Sequence, residues 1–279
     1  MLGLFKGKKD QRDEKLNQPE YFALVQKWEI FLKKIEERFH ESLVHAEEAV
    51  LENLEVSNFD LTPTLTSWQG IKAQLMQLMD KSETTFDEKV KPQMLEFIEE
   101  WEVIDEEHKG THLREAMYEQ MERFEIVMEG KASLKFYEHA LTLLNEHFHC
   151  SQCQAQLEVK KDIFRSHYVS CDYCNTVNTF TPNDKIAQIK WVVDNIAKYR
   201  AIGEWDAMRE AHNQYIELPC KATHEDQSEL LEAFRLKEDK ERCFWEKFLS
   251  ERYTLLPEYK DSFEHDLMVK MKHLTEEKE

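Results

Sequence analysis

Cys150-Ser-Gln-Cys153 and, seventeen residues on, Cys171-Asp-Tyr-Cys174 lie in the stretch CSQCQAQLEVKKDIFRSHYVSCDYCNTVNTFTP, residues 150–182, and that stretch decides how the 279-residue chain divides. Two C-x2-C pairs at this separation have the spacing of a structural zinc site. The two-residue gap lets both thiolates of a pair converge on one ion from a tight turn. Four thiolates complete the closed tetrahedral shell that zinc takes in structural sites, with no position left for a substrate. The expected cofactor is one Zn2+ per chain, held by Cys150, Cys153, Cys171 and Cys174. A rubredoxin-type iron uses the same tetrahedral thiolates, and release of the metal on oxidation is open to any thiolate site. A disulfide does not suit a reducing cytosol.

The stretch also changes period. Leu157–Val159, His167–Val169 and Thr176–Phe180 are β-branched and aromatic and predict three strands, with Lys160–Arg165 turning between the first two. With two cysteine pairs beside three strands, the segment resembles a zinc ribbon, in which two cysteine knuckles cap a three-stranded antiparallel sheet; HYVSCDYCNTVNTF is similar to the second knuckle and closing strand. The resemblance covers about thirty residues and implies a metal-dependent fold rather than an activity. It departs from the family at the glycine that usually follows each knuckle, which is Gln154 and Asn175 here.

Outward from the ribbon the composition is that of long helices: six Gly and six Pro in the whole chain, 41% hydrophobic and 33% charged residues. Upstream, Trp28, Leu32, Ile35, Phe39, Leu43, Ala46, Val50 and Leu54 recur at spacings above 3.6, nearer an 11-residue repeat than a heptad, and predict one straight helix of about 35 residues. Asn58–Pro63 breaks it, with Thr62 as N-cap and Pro63 first in the next helix. That helix is expected to bury Leu65, Trp68, Ile71, Leu75, Leu78, Ser82, Phe86 and Val90 until Lys91-Pro92 kinks or ends it. Met94, Phe97, Trp101, Ile104 and His108 predict the next stripe, Gly110 a break, and Leu113, Met117, Gln120, Phe124, Val127 and Met128 its resumption. Leu134, Tyr137, Leu141, Leu144 and Phe148 complete three to five antiparallel helices.

Downstream, Ile186, Ile189, Val193, Ile196 and Tyr199 predict a helix, Gly203 a break, and Trp205, Met208, Ala211 and Tyr215 another that stops at Pro219. Leu230, Phe234, Trp245, Phe248 and Leu255, then Phe263, Leu267 and Met271 beyond Pro257, form a closing pair. Tyr199–Tyr215 has a helix-turn-helix look, but no fixed period marks a repeat array. The expected fold is therefore mainly α: a mobile tail over 1–18, a helical bundle or coiled-coil-like domain over 19–149, the ribbon over 150–182, and a C-terminal helical domain over 183–279.

Charge narrows the function. The formal charge of −19 repels phosphate backbones and anionic membranes. The absence of a 20-residue apolar run or of a signal-peptide core leads to the expectation of a cytoplasmic protein. Residues 80–129 hold sixteen acidic against six basic side chains, an expected docking surface for a basic protein partner at which Glu99, Glu100 and Glu106 are the candidate contacts. Within the ribbon three basic residues balance three acidic ones, short of what a nucleic-acid reader needs. Leu2-Gly-Leu-Phe5 with Lys6, Lys8 and Lys9 suits weak contact of residues 1–9 with a membrane surface.

Other constellations are weaker. His147 and His149 adjoin Cys150 and are alternative ligands, although four cysteines already fill the shell. Glu37-x-x-His40 and Asp105-x-x-His108 have the carboxylate–histidine spacing of di-iron bundles, but Glu37 points away from the face of Ile35 and Phe39. Cys220 and Cys243 are expected as core filler. With no phosphate loop, nucleophile elbow or H-E-x-x-H motif present, the sequence favours a non-enzymatic scaffold or adaptor acting through protein–protein interaction. A nucleic-acid accessory factor using the ribbon, or an enzyme with a scattered site, is the alternative; self-association is open.

Overall fold

The structure, a computed structural model, describes residues 19–144, 148–159, 163–221 and 227–276. The proposed tail and its membrane-contact residues, His147, and Lys160 and Lys161 lie outside these. Two compact units, Met1–Glu125 and Ile126–Glu279, divide within one long helix.

The first unit opens with α1, Pro19–Val56, which buries all eight apolar positions of the predicted stripe and Tyr21 as well. It ends in a turn where Asn58 and Phe59 are left-handed (φ 54° and 58°), and the Phe59 N–H returns to Leu54 O at 2.8 Å. In α2, Leu61–Thr85, the cap is Asp60 rather than Thr62: its carboxylate accepts from Thr62 N at 2.9 Å. Pro63 falls in the first turn, where a missing N–H costs no helical bond. The buried face is Thr64, Trp68, Leu75, Met79 and Ser82; Leu65 is exposed because Thr64 takes the inward position and returns its hydroxyl to Asp60 O.

Ahead of Pro92 the chain widens into a π-helical turn, Phe86–Val90, then tightens into the short α3, Lys91–Met94. This kink suits a residue that neither donates to the preceding turn nor clears its carbonyl. The next helix, α4, Glu100–Leu144, runs 45 residues without a break, so the expected division at Gly110 is corrected. Gly110 is there for proximity: a Cβ would stand 3.0 Å from Trp28 Cζ2, while Trp28 Nε1 donates to Glu106 O at 3.0 Å. The stripe is corrected as well. Val103, Glu106, Met117 and Met121 are buried and Trp101, Ile104 and His108 exposed, because α4 starts afresh at Glu100 and takes its phase from the Trp28 contact.

Directions follow from the pairings. Trp28, early in α1, meets Phe86 beyond the end of α2 (ring centroids 5.2 Å), and the chain turns between the two helices, so they run in opposite senses. Glu29 pairs with Lys109 and His40 with Gln120, both 80 residues apart, so α1 and α4 run in the same sense. Trp68 and Lys72 reach Glu125 while Arg114 reaches Glu83, reversing α2 relative to α4.

In the second unit the end of α4 buries Ile126, Met128, Ala132, Ser133, Phe136 and Ala140; Leu134, Tyr137 and Leu141 are half-buried beside them. After the cysteine segment, with β1 (His167–Ser170) and β2 (Val177–Phe180), come α5, Asp184–Arg200, capped by Asn183, and α6, Ile202–Lys221. The break falls at Ala201, not Gly203, and α6 continues through Pro219 near its end, where proline forfeits a single bond. Next are α7, Gln227–Leu255, a 3-10 turn at Pro257–Ser262, and α8, Phe263–Glu276. Ile126, Ala197, Ala201, Trp205, Phe244, Phe248, Leu249, Tyr253, Leu267 and Met271 form their core. Among the described residues the protein is mainly helical with one small two-stranded antiparallel sheet, and no described helix is long and apolar enough to cross a membrane.

Candidate metal centre

The four predicted cysteines converge. Their sulfurs all lie within 4.8 Å of one another, with Cys150 Sγ 3.4 Å from Cys174 Sγ and Cys153 Sγ 3.5 Å from Cys171 Sγ. A tetrahedral ion at a Zn–S distance of about 2.3 Å sets sulfurs about 3.8 Å apart, so the set fits a four-thiolate dication. Cys150 and Cys171 are buried and all four are unbridged.

Two turns with the same bonds build the site. Gln154 N donates to Cys150 O (3.0 Å) and Cys150 N to Ala155 O (2.8 Å); Asn175 N donates to Cys171 O (2.9 Å) and Cys171 N to Thr176 O (2.9 Å). Closing each turn requires a left-handed residue, and Gln154 (φ 61°) and Asn175 (φ 57°) adopt that conformation where the zinc-ribbon pattern has glycine. The strain is local, about 1 kcal/mol for a residue with a Cβ, and smaller for Asn than for Gln.

Thiolate chemistry is prepared by the same turns. The Cys153 backbone N–H, with that of Gln152, holds the Cys150 thiol down to about 6 against its desolvation. The Thr176 hydroxyl and backbone N–H lower Cys174. At Cys153 the Ala155 N–H favours the thiolate, but lost hydration and the sulfurs of Cys171, Cys174 and Cys150 outweigh it and push the thiol up to about 12. Sulfurs this close cannot all be thiolates unless a cation sits among them, so binding a metal expels the remaining protons.

Strand pairing differs from the expectation. β1 and β2 pair from His167↔Phe180 to Ser170↔Val177, but Leu157–Val159 is not a third strand. Leu157 N instead donates to Phe148 O at 2.8 Å, and His149 bridges Gln156, so the first knuckle closes its own hairpin. The second unit holds the segment through Phe164, whose ring lies 4.8 Å from Lys190 Nζ; that ammonium also donates to Tyr259 Oη at 2.6 Å.

Sequence reasoning missed Asn178. It is 6% exposed, its Oδ1 accepts from Ser151 N and Oγ, both at 2.9 Å, and its Nδ2 donates to Cys150 Sγ at 3.7 Å. The available signal was alternation, since Asn178 shares the inward face of β2 with Phe180.

The other candidates do not assemble. His149 is exposed and outside the sulfur cluster. His40 pairs with Gln120 at 2.6 Å, Glu37 lies 3.8 Å from Lys33, and His108 stacks edgewise on His112. Cys243 is exposed on α7, contrary to the expected core position. Glu106, expected at a docking surface, is 9% exposed and bonded to Lys109 at 2.9 Å; it serves the packing around Trp28.

Fold and site together define a class, a mainly helical protein bearing a four-cysteine, metal-type cluster. No protein-family model, curated protein or solved structure matches the chain.

Proposed function

We propose that the protein is a cytoplasmic, non-enzymatic adaptor or scaffold in which a zinc ribbon, holding one structural Zn2+ through Cys150, Cys153, Cys171 and Cys174, displays a binding surface for a protein partner. The carrying observation is the pair of like knuckles around four converging sulfurs: four thiolates close the shell, so the ion's role is to hold shape. On the frame so held, Tyr168 and Tyr173 are 79% and 82% exposed, the amphipathic side chains enriched at protein interfaces.

A second surface supports the same function. Trp101 and Ile104, 59% and 43% exposed, stand in the most acidic part of the first unit with Glu99 and Glu100, a combination that suits a basic partner. The test is quantitative co-capture from cells with wild type, Cys171→Ser, and Glu99→Lys/Glu100→Lys, repeated at low and high salt. A partner lost with the first or the second variant, more weakly held in salt, supports the adaptor; capture indifferent to all three overturns it. The exposed tyrosines also favour one competing role, stacking of single-stranded nucleic acid. Salt-dependent retention on DNA or RNA by a chain of net charge −19 would establish that role instead.

A further inference from the structure

From the open edge of β1 we infer that the ribbon binds an extended, lysine- or arginine-bearing peptide segment by strand addition, in the cleft between β1 and Gln156–Glu158; this rests on the adaptor function proposed above. The Cys171 N–H bond to Thr176 O makes those two a hydrogen-bonded pair in the register of β1 and β2. Alternation along an antiparallel ladder makes Val169↔Asn178 and His167↔Phe180 the next such pairs. The backbone N–H and C=O groups of Tyr168 and Ser170 therefore face away from β2.

Where a third strand would take these groups there is instead a cleft of about 440 Å³, walled by Gln156, Leu157 and Glu158 on one side and by β1, Asp172 and Tyr173 on the other. Among the described residues the far wall forms no ladder with β1, whose strand partner is β2. Among the described residues these edge donors and acceptors have no backbone partner, and such an edge is a template for an added strand.

Side chains specify the occupant. Tyr168 and Tyr173 flank the cleft, Leu157 is buried in its wall at 8% exposure, and Glu158 and Asp172, both exposed, are its carboxylates. A strand alternating an apolar residue with lysine or arginine answers both features, apolar side chains meeting the tyrosines and cations meeting the carboxylates.

The test uses the zinc-loaded full chain and a labelled nonapeptide alternating lysine and valine. Three comparison probes are the same peptide N-methylated at alternate residues, its glutamate counterpart, and an oligothymidylate. Saturable binding with shifts and slowed hydrogen exchange at the Tyr168 and Ser170 amides is expected, weakened about tenfold or more by methylation or by Glu158→Lys/Asp172→Lys. Tyr168→Ala and Tyr173→Ala should weaken it with zinc content unchanged. Equal binding of the methylated peptide, shifts confined to the acidic helices, no binding, or response of the tyrosines to the oligonucleotide alone overturns the inference. If cellular partners persist with Tyr168→Ala but vanish with Cys171→Ser, the cleft is excluded while the adaptor function stands; if neither variant nor the Glu99/Glu100 reversal affects capture, the adaptor function itself falls.

Discussion

Asn178 is bound to Cys150 from across the cysteine segment: its Nδ2 donates to the cysteine's sulfur at 3.7 Å while its Oδ1 takes both the N–H and the hydroxyl of Ser151. One buried amide on β2 thus orients a thiolate of the first knuckle and fixes the turn that carries it. Partners of this kind typically govern metal affinity by about 10–100-fold when removed. Asn178→Ala should weaken zinc binding within that range, measured by competition with a chromophoric chelator, with Asn178→Asp worse because it sets a carboxylate against a thiolate. Unchanged affinity in both would mean the amide serves only the strand.

Removing one of the four cysteines tests what a metal bound among them would support. Thirty residues with two short strands bury little on their own, and structural zinc contributes about 10–16 kcal/mol of apparent folding free energy in such sites. Cys171→Ser should therefore abolish stoichiometric zinc and disorder the segment around β1 and β2. Because Phe164 reaches Lys190 on α5, the second unit should melt a few degrees lower, while far-ultraviolet helical signal changes little. Collapse of that signal would make the cysteine segment integral to the helical packing.

Glycines in two settings should respond oppositely to alanine. At Gly70 a Cβ meets nothing within 4 Å, so Gly70→Ala should stabilise by about 0.5–1 kcal/mol through helix propensity. At Gly110 the added carbon would press on Trp28, a ring pinned by its bond to Glu106 O. Overpacking of about 1–3 kcal/mol should exceed the propensity gain and lower the melting temperature.

Acid should act on the second unit through Glu251. Its carboxyl is held below the usual range by hydrogen bonding to Lys247 Nζ (2.8 Å), against its desolvation, with Arg200 (3.3 Å) adding to the effect. A depressed pKa means that stability is present above the unfolded value of 4.5 and lost as pH falls through the folded one. Glu251→Gln should cost about 1 kcal/mol at pH 7, and the difference from wild type should shrink as pH falls below 4.5 and vanish once the carboxyl is protonated in the folded chain. A gap that persists there would trace the effect to packing.

The convergence of the four cysteines and the α1 stripe were legible in the sequence because each rests on local spacing. Two cysteines two residues apart share one turn, and apolar residues three or four apart share one helix face whatever lies opposite. The left-handed positions after each knuckle were legible too, as Gln154 and Asn175 standing where glycine is usual.

Tertiary structure alone decided what depended on a partner distant in sequence. Gly110 looks like a helix break until Trp28, 82 positions away, is seen to need its missing side chain. The phase of α4 follows that contact, exposing Trp101 and Ile104 and burying Glu106. Leu157–Val159 has the residues of a strand, yet the bond its Leu157 N–H makes is to Phe148 in the first knuckle's own hairpin, and no backbone bond joins it to β1 among the described residues. Among the described residues the other edge of β1 is left open. Local periodicity specifies each element, but only the packed chain determines which face finds a neighbour and which is left for another molecule.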